Sequence, residues 1–119
     1  WATWLSEVYS GRKYEATIVG LTGKLDPDSI LKRYVSDYPR NFFNYENPKY
    51  DKLIADAKIT SDENKRIEYY KEAQKILRDE NVAVFIMDPE LITAVNKNIN
   101  GYVFYPLSFT NFAKISIGD

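Results

Sequence analysis

The chain has 119 residues, 45% of them hydrophobic, with 16 basic and 17 acidic side chains. That length supports one domain with a real core, and the near-neutral charge creates no field to attract nucleic acid or an anionic membrane. Neither Cys nor His occurs, which excludes disulfides, thiol redox chemistry, imidazole-based nucleophile systems and the usual zinc and nickel sites.

Trp4, Leu5 and Val8 have helical spacing within Ala2 to Tyr9, and Gly11 follows as a C-cap, so a short first helix is predicted. The run YEATIV, Tyr14 to Val19, is rich in β-formers and predicts a buried strand. Gly20 and Gly23 bracket a loop. Asp26-Pro27 then sets a capping carboxylate before a first-turn proline, which starts a helix from Pro27 to Val35 with Ile30, Leu31 and Tyr34 on one side. The loop DYPRNFFNYENP carries Tyr38, Phe42, Phe43 and Tyr45, which either line a pocket or brace the neighbouring helices. Asn47-Pro48 repeats the cap signature for a helix from Pro48 to about Lys58.

The strongest periodicity lies in Ser61 to Glu80. Thr60 and Glu63 have capping-box spacing, and Ile67, Tyr70, Ala73 and Leu77 form an apolar stripe with Ile76 beside it. Glu68 with Lys71 and Glu72 with Lys75 fall on a solvated face. VAVFIM, Val82 to Met87, is too short for a helix and predicts a buried strand; LITAV, Leu91 to Val95, predicts another. Asn98, Asn100 and Gly101 mark a turn. The aromatic-rich segment Asn98 to Ile117 has one charge, Lys114, and an apolar end of this kind has to be tied down by packing.

Asp26 with Asp28, and Asp62 with Glu63, invite a paired-carboxylate acid and base. Each pair stands where a helix begins, and acids favour that position for structural reasons. No catalytic residue, metal ligand or cofactor is assigned, and the chain is read as a non-enzyme. The element order predicts an α/β or α+β layered fold, with few strands flanked by about four helices. So few strands leave sheet edges uncovered, a second sign of missing packing surface.

Taken in order, W-x-x-W-L, GRKYE, a strand ending in Gly20, Asp26-Pro27, NPKYDKLI, DENKRI-x-YYKEAQKIL, VAVFIM and NGYVFYPLSFTNFAKISI resemble the C-terminal part of family 5 ABC transporter solute-binding proteins. These are the oligopeptide-, dipeptide- and nickel-type members. The resemblance covers the whole chain; each motif alone is weak, and the collinear set carries it. It implies a C-terminal lobe fragment of a two-lobed periplasmic-binding-protein type II fold. Residues 1–90 would be lobe core, and 91–119 an extended tail that returns to the N-terminal lobe, which is not part of these residues. An opening of WATWL, without a leader, fits a processed or shortened chain. Self-association would be one way to cover the exposed apolar surface.

The implied function is that of an extracytoplasmic component, periplasmic or a cell-surface lipoprotein in bacteria. It would close over a peptide in an inter-lobe cleft and deliver it to a membrane permease. Oligopeptide-binding relatives place a tryptophan and an aspartate in the loop matching VGLTGKLDP, where the aspartate pairs with the ligand's ammonium. Registering on the upstream glycine puts Leu21 and Lys24 at those positions; registering on Asp26-Pro27 puts Gly20 and Gly23 there. The implied ligand-binding residues are therefore Gly20, Leu21, Thr22, Gly23 and Lys24. No acid stands in either register to pair with a free amine. Relatives also carry a cleft-lining tyrosine in the VAVFIM strand, where Phe85, Ile86 or Met87 stands here; Met87 is taken, with core packing as the other reading. A free-standing interaction module, using the aromatic loop and the apolar tail, is the alternative function.

Overall fold

The computed structural model describes residues 1–90, 92–105 and 109–118. The chain divides into two compact units, Trp1–Phe85 and Ile86–Asp119, so the boundary falls inside the VAVFIM run.

The first unit is built on two helices, α2 (Pro48–Ile59) and α3 (Glu63–Asp79), joined by three residues that turn the chain back on itself. Local chemistry sets their ends. The Asn47 side chain accepts hydrogen bonds from the amides of Lys49 at 2.9 Å and Tyr50 at 3.0 Å, with Pro48 in the first turn where its missing donor costs nothing. At α3 the cap is Asp62, which accepts from the Lys65 amide at 3.1 Å. Thr60 instead accepts from the Asp62 amide at 3.2 Å, so the expected Thr60–Glu63 capping box gives way to a later cap. α3 ends in a Schellman motif: Asn81 takes a left-handed φ of 53°, and Val82 N–H reaches the Leu77 carbonyl at 3.1 Å.

The core follows helical spacing. Tyr50, Ile54 and Ala57 of α2 meet Tyr70, Ala73, Ile76 and Leu77 of α3. Ala57 and Ala73 are fully buried, and such small side chains let two helices pack closely. Leu31 and Tyr34 close the cluster from α1 (Asp28–Leu31) and the 3₁₀ turn Lys32–Tyr34 that extends it. Burying each large apolar side chain contributes roughly 1.5–3 kcal/mol. Ile67, expected in the stripe, is 44% exposed, one turn short of the packed region.

The aromatic loop braces this core. Phe42 is 1% exposed and takes the edge of Trp4 at 5.6 Å between centroids. Phe43 stacks on Tyr34 at 4.1 Å, and Tyr45 meets Tyr50 edge-on at 5.8 Å. Asn41, the buried polar residue of the loop, donates to the carbonyls of Val35 and Tyr45 and accepts from the Phe43 amide. The first predicted helix is present, but Trp4–Ser10 winds as a π-helix. Its C-cap Gly11 has a right-handed φ of −77°, and the left-handed position is Arg12.

The three strands expected at Tyr14–Val19, Val82–Met87 and Leu91–Val95 are not found among the described residues; Leu91 itself lies outside them. A strand needs a neighbour to pair its amides and carbonyls, and none of these segments lies in a ladder with another. The described sheet belongs to the second unit. β1 (Ile99–Asn100) pairs antiparallel with β2 (Ser116–Ile117), Ile99 opposite Ile117 and Asn100 opposite Ser116. The two ends of the aromatic-rich segment therefore meet. Gly101 leaves β1 at φ +76°, where an added Cβ would lie 1.8 Å from the Lys114 carbonyl oxygen.

Candidate functional site

A groove of about 420 Å³ opens in the first unit where α1, the aromatic loop and the facing ends of α2 and α3 converge. Asp26, two residues before α1, accepts from the Asp28 amide at 2.9 Å, while the N-cap position itself is Pro27 and makes no side-chain cap. Arg66, in the first turns of α3, ties the walls together. Its Nη2 lies 2.9 and 2.7 Å from the two Asp26 carboxylate oxygens, and its Nε donates to the Ala57 carbonyl at 3.2 Å. The guanidinium also donates to the Tyr70 hydroxyl at 3.1 Å and sits 5.1 Å from that ring's centre. The hydrogen bond from Arg66, helped by the Asp28 amide, holds the Asp26 carboxyl below its ordinary range. Lys32 pairs with Asp28 at 3.3 Å, one helical turn apart.

Those two pairs use both carboxylates of the groove. Lys24, Arg33, Arg40 and Lys58 also line it and have no carboxylate partner among the described residues. The groove therefore concentrates positive charge in a chain whose net charge is −1. Three shielded side-chain atoms have no hydrogen-bond partner, Asp28 Oδ1, Ser29 Oγ and Arg33 Nε, and all three belong to residues lining this groove. A buried polar group left unpaired costs on the order of 1–3 kcal/mol.

A second polar cluster locks the end of α3 to the start of α2. Glu80 accepts from the Tyr45 hydroxyl at 2.7 Å and from Asn47 Nδ2 at 2.8 Å. Burial, reinforced by the hydrogen bond to Glu80, pushes the Tyr45 phenol up to about 12.

Of the residues expected to contact ligand, Gly20, Leu21, Thr22, Gly23 and Lys24 form an exposed loop without regular structure. An added Cβ on Gly20 or Gly23 would meet nothing within 4 Å, so neither glycine is required by close packing. Lys24 alone among the five lines the groove. Met87 belongs to the second unit and is 77% exposed. Asp26 and Asp28 are ion-paired at the start of α1, and Asp62 caps α3. No group of His, Cys, Asp and Glu among the described residues could hold a metal ion. No helix among them is long and apolar enough to cross a membrane. Six of the ten residues lining the groove are cationic and two are acidic. Arg33, Arg40, Lys58 and Arg66 were not legible as a set, because their positions have no common period and come from separate elements.

Comparison with known proteins gives the wider setting. The "Dipeptide-binding protein" of Escherichia coli (strain K12) is 30% identical over 122 residues, covering 98% of this chain. The "Di/tripeptide-binding protein 1" of Pseudomonas aeruginosa (strain UCBPP-PA14) is 30% identical over 99% of the chain. The chain is a homologue of peptide-binding periplasmic proteins of the family 5 type. The "Peptide transport periplasmic protein SapA" of Salmonella typhimurium is also 30% identical, over 87% of the chain. The chain spans only 23%, 22% and 20% of these three relatives' own lengths. No protein-family model matches the chain, and no solved structure matches it significantly.

Proposed function

We propose that this chain is part of the C-terminal lobe of an extracytoplasmic solute-binding protein of an ABC importer. The complete protein binds a peptide in the cleft between its lobes and hands it to a membrane permease without bond chemistry. The observation that carries this reading is the collinear similarity to dipeptide- and tripeptide-binding proteins along 98–99% of the chain. In this reading the loop Gly20–Lys24 and Met87 face ligand, and all of these residues are exposed in this chain. The exposed run from Val84 to Met87 and the loss of three expected strands fit a unit whose partner surfaces lie in the rest of that protein.

The test is calorimetric titration of the complete gene product with a panel of dipeptides and tripeptides. Saturable one-to-one binding is expected, with the isolated 119-residue chain binding far more weakly because half the cleft is absent. Absence of any peptide binding by the complete product would sink the reading.

A further inference from the structure

We propose that the groove between α1, the aromatic loop and the α2–α3 turn is an anion-selective subsite that takes the carboxylates of an acidic peptide. The proposal rests on the peptide-binding reading and names the ligand class.

Four cations of the groove, Lys24, Arg33, Arg40 and Lys58, have no carboxylate partner among the described residues, while its two acids are already paired to Lys32 and Arg66. Like charges held in one concavity repel, and an anion entering it relieves that repulsion. A guanidinium offers a planar fork of donors suited to a carboxylate, and the groove has two such residues, Arg33 and Arg40, besides the occupied Arg66. On the peptide-binding reading the anion is a carboxylate of an acidic peptide, whose charge complements a groove lined by six cations and two acids.

The experiment is isothermal titration of the complete gene product with tri-glutamate, tri-alanine and tri-lysine, with inorganic phosphate as competitor. Tri-glutamate is expected to bind about tenfold or more tightly than tri-alanine, a preference that a pair of charge-assisted contacts supplies. The preference should shrink as salt rises from about 0.1 M to about 1 M, which shortens the screening length from about 10 Å to about 3 Å. R40Q, at an exposed position that leaves the core untouched, should lower affinity for tri-glutamate and leave tri-alanine unchanged; R33Q should do the same. Equal affinity for tri-alanine and tri-glutamate overturns the subsite and leaves the peptide-binding reading standing. Binding of none of the peptides overturns both. Phosphate competing as well as tri-glutamate overturns the commitment to a peptide.

Discussion

The Tyr50 hydroxyl donates a 2.6 Å hydrogen bond to the Leu31 carbonyl inside the core, joining the first turn of α2 to the end of α1. Burial raises the Tyr50 phenol above its ordinary range, so it stays protonated and donating throughout the physiological range. Y50F keeps the ring packing but strands the Leu31 carbonyl. We expect it to lose about 1–3 kcal/mol in urea unfolding, whereas Y50A, which also empties the site, should lose about 3–5 kcal/mol. Equal losses for the two variants would show that the hydroxyl, not the ring, dominates.

Asn41 holds the aromatic loop closed through three hydrogen bonds, to the Val35 and Tyr45 carbonyls and from the Phe43 amide. N41A leaves these backbone groups unpaired in a buried place and is expected to cost on the order of 2–3 kcal/mol. Near-ultraviolet circular dichroism should weaken as well, since Phe42, Phe43 and Tyr45 depend on that loop for their packing. An unchanged spectrum and unfolding midpoint would refute this role.

Tyr45 gives an alkaline signature. Its folded phenol titrates at about 12, against an ordinary value of 10.0, mainly because of burial. A pKa raised by folding adds stability that is fully present below pH 10 and is lost as pH rises toward 12. Y45F removes that titration, so its unfolding midpoint should fall less steeply than the wild type's over this window. Parallel slopes would exclude the assignment.

Asp26 gives the opposite, acid signature. Its carboxyl is held down by Arg66, so its stabilisation is present above the ordinary 3.8 and is lost as pH falls through the lower folded value. D26N should flatten the acid limb of stability against pH and lower stability near neutrality by the same small amount, small because the pair is solvent-exposed. Identical acid limbs for the two proteins would contradict this.

Val84 and Phe85 stand in water at the end of the first unit. Contiguous apolar exposure of this kind drives association, so light scattering on the isolated 119-residue chain should give a mass above the monomer's 13.9 kDa. V84S/F85S should shift the mass toward the monomer. A wild-type chain that stays monomeric at high concentration would argue for the free-standing module.

What could be read in advance followed the range of the interactions. α2 and α3 were legible because their signals are local: Asn47-Pro48 caps its own helix, and Tyr70, Ala73 and Leu77 recur at helical spacing. The Asn81 Schellman stop was equally local and was missed, since Asn substitutes there for the more familiar glycine. YEATIV, VAVFIM and LITAV misled because β-propensity describes a surface that fits a sheet, not the presence of one. Resemblance pointed to the loop ending at Lys24 and to Met87, but the charged groove around Arg66 exists only once α1 and α3 meet. The Asp26–Arg66 contact spans 40 positions of chain, and no periodicity reports such a pairing.

Gly101 shows how a position can be indispensable without touching anything that is bound. Its backbone turns at a positive φ against the Lys114 carbonyl, with no room for even a methyl group. Every other amino acid is therefore excluded there, and the short β1–β2 ladder hangs on a hydrogen atom. A saturation scan scored by survival would rank Gly101 beside genuine ligand contacts. Only a binding assay on soluble variants would separate the residue that shapes the hairpin from those that recognise cargo.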